Sequence, residues 1–81
     1  MKLWVGNMEP GTTDDEIKAL VKKYGTDLEC IDIQRVDGDG SRPAASIQCS
    51  GTNESIGKLA LRLNGMYWKG RPLTSSVAMS S

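Results

Sequence analysis

Two stretches of this chain carry apolar residues at helical spacing, and each has a single apolar stripe. Ile17, Leu20, Val21 and Tyr24 recur at i, i+3, i+4 and i+7, and Ile56, Leu59, Ala60 and Leu63 form the second stripe. A one-sided helix must bury its stripe against another element. The segments around the two stripes alternate with a period of two, so the expected partner is a sheet covered on one face by both helices.

The local signals give an order. Residues 2–8 read as a strand, with Leu3 and Val5 on one face and Lys2, Trp4 and Gly6 on the other. Glu9-Pro10-Gly11 stops it. Thr13-Asp14-Asp15-Glu16 has the capping-box pattern, its acidic residues suit the positive end of a helix dipole, and Gly25 is placed as the C′ residue. Residues 28–36 read as a second strand, with Ile31 and Ile33 facing one way and Cys30, Asp32 and Gln34 the other. Asp37-Gly38-Asp39-Gly40 is a loop. Residues 44–49 form a third strand, in which Ala45, Ile47 and Cys49 alternate with Ala44, Ser46 and Gln48. Thr52 or Asn53 caps the second helix, Asn64-Gly65 ends it, and a last strand runs from about Arg71 to Ala78 after the short apolar piece Met66-Tyr67-Trp68. The order βαββαβ in 81 residues is the α+β, ferredoxin-like plan: a four-stranded antiparallel sheet with two helices on one face. The other face is open, and a binding function belongs there.

Composition narrows the function. The chain has no histidine, which removes the commonest general base and metal ligand, and no Ser, Cys or carboxylate has a base at motif spacing. A non-catalytic protein without cofactor or metal is expected. Counted from Asp37, the calcium-loop positions six and twelve fall on Arg42 and Gln48, which excludes that reading. Net charge is zero but uneven: residues 1–40 hold five basic and nine acidic side chains, a net of −4, and residues 41–81 hold the compensating +4. A local basic surface is permitted, a global one is not. No apolar run is long enough to span a membrane, and the first residues lack the pattern of a signal peptide, so a cytoplasmic monomer with reduced thiols is expected. By strand alternation Cys30 and Cys49 point to opposite faces, which argues against a disulfide between them.

Leu3-Trp4-Val5-Gly6-Asn7-Met8 resembles the first-strand hexapeptide of the RNA recognition motif, the family whose first strand reads aliphatic, aromatic, aliphatic, any residue, Asn, Leu. Thr13-Asp14-Asp15-Glu16-Ile17 through Tyr24-Gly25 is similar to that family's first helix. Leu63-Asn64-Gly65, Gly70-Arg71-Pro72-Leu73 and Ala78 are similar to its ending. The resemblance covers residues 2–78 in order and implies one domain over residues 1–79, with a short tail at 80–81. The third-strand octapeptide departs from the family pattern. Arg42, Ala45 and Ile47 fit, but Ala44 and Ser46 stand where two aromatic rings stack bases, and Pro43 stands for Gly. Base stacking on an aromatic is worth about 1–3 kcal/mol per base, so two missing rings forgo roughly 2–6 kcal/mol of the roughly 8 kcal/mol in a micromolar affinity.

The resemblance implies weak to moderate binding of single-stranded RNA, or of single-stranded DNA, on the open face. Trp4 is the expected stacking ring; the alternative is an indole covered by a loop or by the C-terminal tail. Arg42 and Lys2 are placed to meet phosphates, and Gln34 to read a base edge. Asn7, Ala44, Ser46, Gln48, Thr74 and Ser76 complete the expected surface. Trp68 is expected to pack in the core or at the rim of the sheet, with direct base contact as the alternative, and Tyr24 in the core. The competing reading is a protein–protein interaction module that kept the fold and lost the nucleic acid.

Overall fold

The computed structural model describes residues 2–36 and 38–78. The expected tail, and with it the reading that the tail covers Trp4, lies outside the described residues, as does Asp37 of the expected loop.

The chain runs β1 (Lys2–Gly6), α1 (Asp14–Tyr24), β2 (Glu29–Val36), β3 (Ala44–Ser50), α2 (Asn53–Leu63), β4 (Tyr67–Trp68), β5 (Arg71–Pro72) and β6 (Thr74–Ala78). The four long strands form one sheet in the order β2-β3-β1-β6, with every pair antiparallel. Leu3 and Val5 of β1 and Ala45, Ile47 and Cys49 of β3 meet Ile17, Leu20 and Val21 of α1 and Ile56, Leu59, Ala60 and Leu63 of α2 in a single core. Each fully buried Leu, Ile or Val there contributes about 1.5–3 kcal/mol relative to an exposed one. Tyr24 is only partly buried, packed at the core's edge with the Lys23 ammonium and the Arg62 guanidinium 5.4 and 5.2 Å from its ring centre.

The helix starts follow the sequence. Thr13 Oγ1 accepts from the Glu16 N–H at 3.2 Å, and Glu16 Oε1 accepts from the Thr13 N–H at 3.0 Å, which completes the capping box. Thr52 caps α2 in the same way, its Oγ1 accepting from the Ser55 N–H at 3.1 Å. The end of α1 differs from expectation. Gly25 is the cap residue itself, and its φ of −118° is ordinary for any residue. Glycine is needed there for space: a Cβ would lie 2.9 Å from Leu59 Cδ2, 3.1 Å from Leu28 Cδ1 and 3.2 Å from the Val21 carbonyl oxygen.

Two strand readings are corrected. In β2 the register with β3 shifts between Cys30 and Asp32, where Ile31 forms a β-bulge and is 60% exposed. The extra residue inverts the alternation on its N-terminal side, so Cys30 faces the helices with Ile33, and Cys30 lies directly opposite Cys49. The two thiols therefore share a face. At the C-terminal end, the expected single strand from Arg71 is interrupted. Tyr67–Trp68 and Arg71–Pro72 make a separate hairpin whose two-residue loop, Lys69-Gly70, has φ of 56° and 83°. A tight turn of the mirror-image type I class needs φ > 0 at both positions. Trp68 is partly buried against the core, borders a hollow with Leu20 and Tyr24 of α1, and carries the Lys69 ammonium 5.6 Å from its ring centre.

Candidate nucleic-acid interface

The strand registers place one row of side chains across the whole sheet on the face away from the helices. Gln34 of β2 lies opposite Ser46 of β3, Ser46 opposite Trp4 of β1, and Trp4 opposite Ser76 of β6. Trp4 is the aromatic member of this row and is partly exposed. Its two directly paired cross-strand neighbours, Ser46 and Ser76, are small. One pleat along, Asp32 lies opposite Gln48, both exposed, and Lys2 occupies the matching position on β1. One pleat the other way, Val36 lies opposite Ala44 and Gly6 opposite Thr74.

Gly6 explains the pose of the indole. A Cβ at Gly6 would stand 2.7 Å from Thr74 Oγ1, 3.2 Å from Trp4 Nε1 and 3.7 Å from Ala44 Cβ. The Trp4 ring thus leans along its own strand toward the glycine, and the Thr74 hydroxyl lies close to the same spot. Ala44 is 6% exposed and sits at the floor of a shallow hollow of about 500 Å³, bounded by Trp4, Val36 and the β2–β3 loop residues Asp39, Ser41 and Arg42. A large aromatic at position 44 would fill that hollow; alanine leaves it open beside the Trp4 ring.

Arg42 is exposed and borders both this hollow and a second one of about 560 Å³ formed with Asn7, Arg71, Pro72 and Thr74. Its loop is held from two directions. Asp39 Oδ1 accepts from the Ser41 hydroxyl at 2.7 Å and the Ser41 N–H at 2.9 Å, and these bonds, the hydroxyl first, hold the Asp39 carboxyl below its ordinary value. Arg71 Nη1 donates to the Ser41 carbonyl at 2.8 Å and to the Met8 carbonyl at 2.9 Å, joining the loop to the end of β1. Sequence reasoning missed this clamp, because Arg71 read as an ordinary strand residue. Asn7 has a structural task as well: at φ 58° its Nδ2 donates to the Pro72 carbonyl at 2.8 Å.

The ten expected site residues therefore divide by position. Lys2, Trp4, Gln34, Ser46, Gln48, Thr74 and Ser76 form one polar surface around one ring. Arg42 stands at its corner, Ala44 lies beneath, and Asn7 braces the end of β1. Charges on and around this surface are mixed, Lys2 and Arg42 against Asp32 and Asp39. Among the described residues, no three His, Cys, Asp or Glu side chains are grouped to hold a metal ion. Among the described residues, no helix is long and apolar enough to cross a membrane.

Two helices on one face of an antiparallel sheet ordered β2-β3-β1-β6 define the ferredoxin-like βαββαβ fold class. Within that class the fold is that of the RNA recognition motif. The chain superimposes on the structure of Pes4 RRM3 with a TM-score of 0.76 at 21% identity, covering 99% of this chain and 93% of that one. It matches the N-terminal three RNA binding domains of the yeast splicing factor Prp24 with a TM-score of 0.72 at 19% identity, covering 99% of this chain and 31% of that one. It matches the C. elegans NONO-1 homodimer structure with a TM-score of 0.63 at 19% identity, covering 96% of this chain and 28% of that one. The chain thus spans about a third of the Prp24 and NONO-1 chains. No family model and no curated protein sequence matches it.

Proposed function

We propose that this domain is a non-catalytic RNA-binding module that holds single-stranded RNA on the open sheet face, with one base stacked on Trp4. The observation that carries the reading is the Gln34–Ser46–Trp4–Ser76 row: one partly exposed indole flanked by small hydroxyl side chains and a glutamine amide. An indole lying on a polar sheet offers a π-face to any base, and the neighbouring Ser and Gln groups offer donors and acceptors to base edges. Arg42 meets the backbone from the loop and Lys2 from the opposite end of β1, which positions the strand without reading its sequence. With one ring and two nearby cations, affinity is weak to moderate, and single-stranded DNA of the same length competes. The RNA-binding domains of Prp24, which share this fold, support the reading.

The test is the affinity of Trp4→Ala and Trp4→Phe for a short single-stranded RNA pool at low salt. Loss of one stacking contact of about 1–3 kcal/mol lowers affinity about 5- to 150-fold in Trp4→Ala, and a phenyl ring at the same position restores most of it. Equal binding by all three proteins would remove RNA stacking from the account and turn attention to a protein partner.

A further inference from the structure

The bulge at Ile31 has a chemical consequence on the helix-facing side of the sheet. Cys30 and Cys49 are direct partners in the β2–β3 ladder, and both thiols are free. Directly opposed residues of an antiparallel pair have Cα atoms about 4.5 or 5.5 Å apart, depending on the pair type. Both values lie inside the roughly 4.4–6.8 Å that a disulfide spans. Cys49 is buried and Cys30 half-buried, so one sulfur is sheltered and the other is reachable. The route to Cys30 is a surface groove of about 470 Å³ between α1 and the start of β2, lined by Lys18, Lys22, Thr26 and Glu29.

We propose that Cys30 and Cys49 are a redox modification site, a dithiol that closes reversibly into a cross-strand disulfide by exchange with a small disulfide of the glutathione class. The Cys30 thiolate attacks one sulfur of the oxidised tripeptide, forming a mixed disulfide and expelling one glutathione thiolate. Cys49 then gives its proton to solvent and attacks the Cys30 sulfur, expelling the second glutathione. Two protein thiols are oxidised by two electrons, and one small disulfide is reduced to two thiols. An excess of reduced monothiol runs the sequence backwards.

The closed bond encloses residues 31–48, which include the bulge, the β2–β3 loop and Gln34, Arg42 and Ser46 of the sheet face. It ties the edge strand covalently to its neighbour at the one place where the bulge breaks the ladder. Burial pushes both thiols above their ordinary values, Cys49 to about 11 with Cys30 beside it adding to the rise. Of the charged groups near Cys30, Lys18 of α1 opposes that rise, and Asp32 of β2 and Asp14 of α1 add to it. The exchange is therefore slow at neutral pH, and the pair responds to sustained rather than momentary oxidation. None of this depends on what the open face binds.

The experiment incubates the native full chain with oxidised glutathione in mildly alkaline buffer without denaturant, then blocks free thiols under denaturing conditions and weighs the chain and its peptides. The expected product is a monomer that has lost two hydrogens, accepts no alkylating label, carries no glutathione and yields a peptide pair joined through Cys30 and Cys49. Its thermal midpoint rises by several degrees and returns on addition of dithiothreitol. In Cys49→Ala the same treatment stops at one glutathione on Cys30, which establishes the order of attack. A wild-type product that keeps glutathione on Cys30 while Cys49 still takes the label would overturn the proposal, and so would disulfide-linked dimers or two unreacted thiols.

Discussion

One added methyl group tests how the fold poses its candidate ring. In Gly6→Ala the new Cβ arrives 2.7 Å from Thr74 Oγ1 and 3.2 Å from Trp4 Nε1. Gly6 does not have a positive φ, so alanine adds no backbone strain and the whole effect is crowding. The Thr74 oxygen must retreat by about half an ångström, which rotation of its side chain supplies, and the indole must yield a few tenths. Overpacking a closed core costs about 1–3 kcal/mol; this site opens to solvent on one side, which puts the cost near 1 kcal/mol. For a domain of this size that corresponds to a fall in Tm of about 4–8 °C. The displaced indole also loses part of a stacking contact worth about 1–3 kcal/mol, so RNA affinity should drop by about fivefold. The assay is thermal unfolding together with the Trp4 indole N–H resonance in the single variants and in Gly6→Ala/Thr74→Ala. Removing the hydroxyl gives the methyl room, so the double variant should be more stable than the sum of the single losses implies, while the indole resonance stays shifted. Strictly additive losses and an unmoved indole resonance would refute the packing argument.

Two further expectations follow from the same contacts. Gly25→Ala should lower stability by about 1–3 kcal/mol through the crowding of Leu59 and Leu28, measured by denaturant unfolding, and an unchanged midpoint would mean the gap between the helices relaxes freely. The Lys69 ammonium lies 2.8 Å from Glu16 Oε2 and, with the Thr13 N–H, holds the Glu16 carboxyl below its ordinary value. A depressed folded value stabilises fully above the unfolded glutamate range and is lost as pH falls through the folded value. Lys69→Ala should therefore move the Glu16 titration midpoint upward by NMR and lower Tm at neutral pH. The part of that loss owed to the Glu16 pair should vanish in acid, while the part owed to the Trp68 contact remains.

Much of this architecture was legible in the residues because the signals were local. The capping box at Thr13, the two apolar stripes and the alternation of Leu3-Trp4-Val5 each depend on neighbours within a turn or a pleat, and each element formed where those signals placed it. The exceptions are contacts between residues far apart in the chain. Alternation assumes an unbroken period of two, and a bulge at Ile31 inserts a residue without any Gly or Pro to announce it, so the facing of Cys30 was inverted. Gly25 looked like a residue chosen for φ, whereas its constraint comes from Leu59, brought in by the second helix. The Arg71 clamp on Met8 and Ser41 joins segments 63 and 30 residues away, which no spacing within one strand reveals. The Lys69-Gly70 turn was visible in principle, as a residue-glycine pair directly after the short apolar run Met66-Tyr67-Trp68.

The partly exposed Trp4 ring on the open sheet face is the centre of this account, and its indole N–H is the atom to watch. An NMR titration of the labelled domain with a randomised pool of short single-stranded RNA at low salt reads it directly. The account predicts shifts at the Trp4 indole and at Gln34, Arg42 and Ser46, with the Trp68 indole against α1 unmoved, and the shifts fading as salt is raised. An unmoved Trp4 with flat spectra at millimolar RNA would contradict it.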